Sequence, residues 1–219
     1  MSPDLDLSID RAHALALTPV SRETAERLDA FVACLLRWRQ TINLIAASTI
    51  PHIWTRHIAD SLQLLPLAPT ANVWIDLGSG AGFPGLVIAC ALAERPGAVV
   101  HLVESIRKKS AFLQSAIEAT GAPAQVHCTR IEDFSRSFGE RADVVTARAL
   151  APMPVLLGYL QPFLKSGAQA LLLKGQDVGA ELTEAAKYWN IDSAMVASKT
   201  SASGKIVIIR SVESRKRKG

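Results

Sequence analysis

The sequence predicts an α/β protein: a mostly parallel, doubly wound sheet of seven strands whose last strand runs antiparallel, preceded by a helical extension. Three observations predict it. After Ala71, short apolar runs alternate with helical stretches, the pattern of a sheet covered on both faces. The last two strand candidates, 191–197 and 205–210, have no room for a helix between them, so they pair antiparallel. Before Ala71 the apolar spacing is helical.

The 219 residues suffice for one domain with a real core and a modest extension. A hydrophobic content of 49% and a charged content of 20% are globular values and exclude a disordered or collagen-like chain. The net charge of +4 is a mild bias toward polyanions. Cys34, Cys90 and Cys128 form no C-x-x-C and sit in apolar contexts, which predicts buried free thiols in a reducing compartment. MSPDLDLSIDRAH is acidic and has no signal-type apolar stretch, and no run of about 18 apolar residues follows. A cytoplasmic protein without membrane attachment is expected.

Residues 1–20 carry little pattern and are expected to fray or pack loosely. From Ser21, a plausible N-cap, Leu28, Phe31, Val32, Leu35, Trp38 and Ile42 share one helical face. A second helix is expected over 50–65, with Pro51 in its first turn and Ile53, Trp54, Ile58, Leu62 and Leu65 on its apolar face. Strands are then expected at 72–77, 98–104, 124–128, 142–148 and 168–174. Helices are expected at 84–95, 106–119, 153–164 and 178–189. This divides the chain into a helical extension (1–70), a ligand-binding domain (71–211) and a basic tail (212–219).

In an open parallel sheet, ligands bind beyond the carboxyl ends of the strands. Those ends carry Asp76-Leu77-Gly78, Glu104-Ser105, Arg148 and Lys174, and Arg130-Ile131-Glu132-Asp133 follows the third strand. The first end opens IDLGSGAGFPG. Within it Gly80 to Gly85 formally match G-x-G-x-x-G, but the match begins too late after the strand. Asp76 would repel a pyrophosphate at short range. It would attract a ligand bearing an ammonium and a sulfonium, directly or through water, and S-adenosylmethionine carries both. Gly78, Gly80 and Gly82 let the backbone approach such a ligand without Cβ clashes. Glu104 is placed to take two ribose hydroxyls, a feature that would serve NAD equally. A kinase-type P-loop is excluded, because no Gly-Lys-Ser/Thr follows. The five histidines are scattered, so no metal site or Ser/His/Asp set is expected, and a structural role is read for them.

IDLGSGAGFPG, VESIRKKSAFL, TRIEDF, TARAL and LLLKGQ, together with NLIAAS and RHIADS upstream, resemble the RsmG/GidB family. That family comprises bacterial methyltransferases that modify guanine N7 in 16S ribosomal RNA. D-x-G-x-G-x-G alone marks only a methyltransferase; the ordered set over about 21–210 is family-specific. The resemblance implies a class I S-adenosylmethionine methyltransferase fold (Rossmann-like) with an N-terminal helical cap. It implies cofactor contacts at Gly78, Phe83, Ile131, Glu132 and Arg148. Ile131 stands where relatives often have a smaller residue, and Glu104 where Asp is common. The implied partner is 16S ribosomal RNA, within the small subunit or an assembly intermediate, with the enzyme a monomer.

Guanine N7 has a lone pair and no proton to lose, so no general base is needed and catalysis should be proximity and orientation. A donor at N7 would block that lone pair, which favours a cofactor-side or phosphate role for Arg148. Lys174 is placed for guanine O6 or a phosphate. His57, Asp60 and Ser61 either line the pocket mouth or pack. The expected RNA surface is Arg37, Arg39, Arg56, Arg107, Lys108, Lys109 and the tail residues Arg215, Lys216 and Arg217; for the Arg107 triplet a solvated helix start is the alternative. N7 is inaccessible in an A-form helix, so the target lies in a loop or is flipped out. Rival readings are a methyltransferase of another substrate, a non-catalytic RNA-binding relative, and a nicotinamide oxidoreductase.

Overall fold

The computed structural model describes residues 6–215. Helix α1 (Ser8–Leu17) comes first, then α2 (Arg22–Trp38). A 3-10 segment (Ala47–His52), a turn wound as a π-helix (Trp54–Ala59) and the short α3 (Asp60–Leu62) lead to the sheet. Then follow β1 (Val73–Leu77), α4 (Gly85–Leu92), β2 (Val99–Val103), α5 (Arg107–Thr120), β3 (Ala124–His127), α6 (Ile131–Ser137), β4 (Val144–Arg148), α7 (Met153–Lys165), β5 (Gln169–Lys174), α8 (Val178–Ala185), β6 (Trp189–Ala197) and β7 (Lys205–Ser214).

The sheet order is β3-β2-β1-β4-β5-β7-β6. Strands β1 to β5 are parallel, and β7 inserts antiparallel between β5 and β6. The chain works outward from β1 to β3, then returns to β4 beside β1. That reversal opens a crevice at the carboxyl ends of β1 and β4. Alternate strand residues feed two cores, as the period of two requires. Trp74, Val100, Leu102, Val144 and Leu171 face one core; Ile75, Leu77, Val145, Leu172 and Val207 face the other.

The expected strands and helices are present, with four departures. Residues 8–17 form a docked helix rather than a loose lead. Arg11 makes a two-pronged ion pair with Asp29 (Nε–Oδ1 and Nη2–Oδ2, both 2.7 Å) and stacks over Trp54. Asp10 receives the backbone N–H of Trp54 at 2.8 Å and the Thr55 hydroxyl at 2.5 Å. It thereby caps a turn far along the chain, an interaction invisible to local pattern. Second, the stretch expected as one helix over 50–65 is wound in three ways, although Ile53, Trp54, Ile58 and Leu62 are buried as expected; Leu64 is buried in place of Leu65. Third, α6 follows β3 where no helix is expected. Fourth, β7 runs to Ser214, past the expected start of the basic tail at 212, and α8 ends at Ala185 rather than 189.

The extension is not a separate body. Leu28, Phe31, Val32, Trp54 and Ile58 share one core with Leu86, Leu102 and Phe112. The Ser21 N-cap is present, its Oγ accepting from Thr24 N at 3.1 Å. Cys34 and Cys90 are buried, whereas Cys128 is exposed because it lies just past the end of the edge strand β3. No helix of the described residues is long and apolar enough to cross a membrane. Asp10→Ala removes the cap on the π-wound turn and should cost about 1–2 kcal/mol in urea unfolding. Unchanged stability would show that the turn holds itself.

Candidate active site

The crevice at the β1/β4 switch is a cleft of about 330 Å³. Gly78, Gly80, Glu104, Ser105, Lys109, Ile131, Glu132 and Arg148 line it, as do Ile106, Ala149 and Tyr159. Glu104 is only 6% exposed. Its carboxylate accepts Gly80 N–H at 3.0 Å and Ile106 N–H at 2.8 Å. A carboxylate offers about four lone-pair sites, so two remain for other donors. Ala149 adopts φ +50°, which turns the chain sharply after Arg148 at the cleft wall.

Asp76, expected as a ligand contact, is 1% exposed and lines neither this cleft nor its neighbour. Its Oδ2 accepts Gly85 N–H at 3.1 Å and its Oδ1 accepts the Thr146 hydroxyl at 2.9 Å. Burial pushes the carboxyl up to about 6; bonds from Thr146, Gly85 and Ser79 and the charge of Arg148 oppose the rise. A Cβ on Gly85 would sit 2.6 Å from the Asp76 Cβ, so only glycine admits this contact. Asp76 therefore shapes the loop from behind. Gly82 is likewise a packing position: it has φ +84°, and a Cβ there would meet Phe31 at 3.1 Å. Phe83 is 4% exposed and lies in the wall, not the cleft surface. Its ring stacks on His57 (centroids 4.8 Å, 20°) and under the Arg148 guanidinium (5.2 Å).

Across that wall is a second pocket of about 200 Å³. Arg56, His57, Asp60, Arg148 and Lys174 line it, with Thr49, Thr200 and Lys205. Arg148 faces both cavities. Its Nη2 lies 2.7 Å from His57 Nδ1, and its Nη1 lies 3.6 Å from Asp60 Oδ2. A guanidinium only donates, so His57 Nδ1 accepts and the ring proton sits on Nε2, which donates to Thr49 Oγ1 at 3.0 Å. Burial, with Arg148 and Arg56 nearby, pulls His57 down to about 3. It is neutral with both nitrogens engaged, which excludes it as a general base. Lys174 pairs with Glu181 at 2.7 Å. Ser61 is fully buried and donates to His57 O, a packing role. His101 and His127 hydrogen-bond each other at 3.0 Å among Phe134 and Phe138, and line neither cavity.

Of the expected RNA residues, Arg56 reaches the second pocket and Lys109 the cleft. Arg107 and Lys108 are exposed on α5 next to the cleft residues Ile106 and Lys109, and Arg37 is exposed near the end of α2 and lines neither cavity. Arg215 is not part of a free tail: it extends the β6–β7 pairing and bonds Asn190 Oδ1 at 2.7 Å. Strand β7 starts beside Lys174 and ends at Ser214, so Arg215 lies at the opposite edge of the sheet from the pocket. Lys216 and Arg217 lie outside the described residues. Among the described residues, no group of His, Cys, Asp and Glu could hold a metal ion.

Sequence reasoning missed Thr49, Thr200 and Lys205: Thr200 lies in the connection between the last two expected strands, Lys205 begins the last of them, and Thr49 precedes the second expected helix, and none of the three carries a local signal of a site. It also missed Gln63, 3% exposed, whose amide inside an apolar run was the one available signal. Gln63 Nε2 donates to Asp60 Oδ1 (2.8 Å) and Ser198 Oγ (3.2 Å), and its Oε1 accepts Lys199 N–H (2.8 Å). That amide ties the β6–β7 turn to the extension and closes the pocket.

The fold matches solved methyltransferases. A putative O-methyltransferase from Klebsiella pneumoniae superposes with a TM-score of 0.59 at 13% identity, over 93% of this chain and 96% of that one. The O-methyltransferase TomG from Streptomyces achromogenes, solved in complex with S-adenosylmethionine, gives 0.59 at 14% identity over 93% and 96%. The architecture is that of the class I S-adenosylmethionine-dependent methyltransferases. Sequence narrows this further. Residues 24–211 match the GidB family, rRNA small subunit methyltransferase G, and the chain belongs to that family. A ribosomal RNA small subunit methyltransferase G from a Bradyrhizobium strain is 60% identical over 96% of this chain and 95% of its own length. One from Nitrobacter hamburgensis is 58% identical over 95% and 80%.

The state of His57 makes stability pH-dependent. Its ordinary value is 6.5 and its folded value about 3, so between these the unfolded chain binds a proton that the folded chain refuses. Stability from this group is complete above pH 6.5 and is lost as pH falls toward 3. Asp76 acts oppositely: its cost is full above pH 6 and is relieved as pH falls toward 3.8. Comparing wild type with His57→Gln cancels Asp76. The difference in unfolding free energy should narrow by up to about 1.4 kcal/mol per pH unit between pH 6 and 4.5. Parallel pH curves would refute the burial of a neutral His57.

Proposed function

We propose that the protein transfers a methyl group from S-adenosylmethionine to N7 of a guanine in a loop of 16S ribosomal RNA, on the small subunit or an assembly intermediate. One observation carries this reading: two cavities of suitable chemistry abut at Arg148. The residues of the first fit the methyl donor. Gly78 and Gly80 offer bare backbone, Glu104 keeps lone pairs for ribose hydroxyls, and Ser105, Ile106, Ile131 and Glu132 complete the walls. S-adenosylmethionine supplies a methyl group already activated by its sulfonium.

The chain's own part is orientation. N7 presents a lone pair without a proton, so the transfer needs no general base; His57 has both nitrogens engaged and Asp76 is sealed in, so neither is offered as one. Arg148, fixed by His57, Asp60 and Phe83, keeps its donors off N7 and separates donor from acceptor. Lys174, steadied by Glu181, retains donors for O6 or a phosphate. Arg56 at the second pocket and Lys109, Arg107 and Lys108 at the cleft supply positive charge for the RNA backbone, with Arg37 exposed on α2 as a further basic contact.

Incubation with labelled S-adenosylmethionine and undermethylated small subunits should put label into 16S RNA, and cleavage at N7-methylguanine should map it to one loop guanine. Protein that binds the cofactor yet leaves the RNA unlabelled would sink the substrate assignment. Arg148→Ala should weaken S-adenosylmethionine binding by about 10- to 100-fold in calorimetry, the scale of a charged hydrogen bond. Unchanged affinity would move Arg148 to the RNA side.

A further inference from the structure

We propose that Asp60 is the residue that identifies the base in the second pocket, by accepting hydrogen bonds from the Watson–Crick edge of guanine. The inference rests on the reading of that pocket as the guanine subsite. N7 cannot itself supply selectivity, because adenine carries the same atom. The two purines differ at the opposite edge. Guanine offers two adjacent donors, N1–H and N2–H, beside the acceptor O6; adenine offers the acceptor N1 and the donor N6–H. A pocket for guanine therefore needs a fixed acceptor on that edge. Of the carboxylates near the pocket's charged residues, Glu181 is taken up by Lys174, Asp76 is sealed behind Arg148, and only Asp60 lines the cavity.

Asp60 is aimed by its surroundings. Its Oδ1 accepts from the Thr200 hydroxyl at 2.7 Å and from Gln63 Nε2 at 2.8 Å. Thr200 Oγ1 also lies 3.0 Å from Ser198 Oγ. With the Thr200 proton directed to Asp60, Ser198 must donate to Thr200, and the chain has one polarity. Oδ1 is thereby saturated. Oδ2 has only the long 3.6 Å contact with Arg148 Nη1, so its lone pairs are available to the pocket. A guanine edge would satisfy them with two donors. Adenine would place the N1 lone pair against a carboxylate, which both repels it and leaves a partly buried acceptor unpaired. The same carboxylate would face a base that becomes positively charged on methylation at N7, a favourable placement.

The orientation makes an unusual variant informative. In Asp60→Asn the amide oxygen must occupy the Oδ1 position, because Thr200 and Gln63 both donate there. The NH2 group then stands where Oδ2 stood and turns an acceptor into a donor. Small subunits can be reconstituted with 16S RNA carrying either guanine or inosine at the mapped target; inosine lacks only the N2 amine. Wild type should methylate the inosine particle with kcat/KM about tenfold lower, the loss of one hydrogen bond to a charged group. In Asp60→Ala the two particles should react within about twofold of each other, and in Asp60→Asn inosine should equal or exceed guanine. A role for Asp60 confined to holding Arg148 would lower both particles equally and preserve the tenfold ratio, and that result overturns the inference. Wild type inactive on both particles while binding S-adenosylmethionine would overturn the parent reading and this inference with it.

Discussion

The site depends on a carboxylate that never reaches its surface. Asp76 ends β1 inside the protein, with one oxygen on the Gly85 amide and the other on the Thr146 hydroxyl of β4. Burial works against its charge, and bonds from Thr146, Gly85 and Ser79 and the nearby guanidinium of Arg148 recover part of the loss. The result is a staple across the switch point. It holds the start of α4 against β1, fixes the loop between them, and keeps β1 and β4 in register where the crevice opens. The absence of a Cβ at Gly85 is the steric condition for it.

Arg148 follows from the same electrostatics. It is charged and largely buried, which is tolerable because Asp60 and Asp76 flank it and His57 Nδ1 accepts a hydrogen bond from it. His57 in turn stays neutral because Arg148 and Arg56 penalise a second positive charge there. The row Asp76, Arg148, Asp60 thus alternates in sign through the wall between the two cavities. Such a wall is polar yet rigid, since each member is held by at least two others. That suits a reaction whose barrier is lowered by placement rather than by proton transfer.

The sheet was legible because its signals are local. VWIDL, VVHLV and ALLLK are short apolar runs bounded by glycine, proline or charge, and each is a buried strand of the structure. Glu104 and Arg148 were legible for a related reason: strand ends in a parallel sheet converge, so their residues can be listed before any contact is known. Asp76 was located correctly but its role was misjudged, because sequence shows that an acid precedes the glycines and not which way it faces. Arg215 failed for lack of tertiary context, since pairing with β6 turns a basic tail residue into a strand end. Asp10 and Thr200 were beyond reach, and Gln63 signalled only that something must satisfy its amide, because each acts on residues far away in the chain.

This split has a structural reason. The cleft at the β1/β4 switch, proposed above for the methyl donor, is assembled from residues 78–159, a contiguous part of the chain folded by successive strand–helix units. The second pocket is assembled from the two flanks: residues 49–60 from the extension and 198–205 from the β6–β7 turn, brought together over β5 and joined by Gln63. On the reading proposed above, donor binding falls to the strand–helix units of the sheet and choice of acceptor to the elements that wrap it. A hairpin turn and the pocket-facing residues of an irregular helix can change residue type without disturbing the sheet, whereas the glycine loop cannot. The π-wound turn and the Ser/Thr-rich hairpin are consequently where selectivity for one nucleobase can be built.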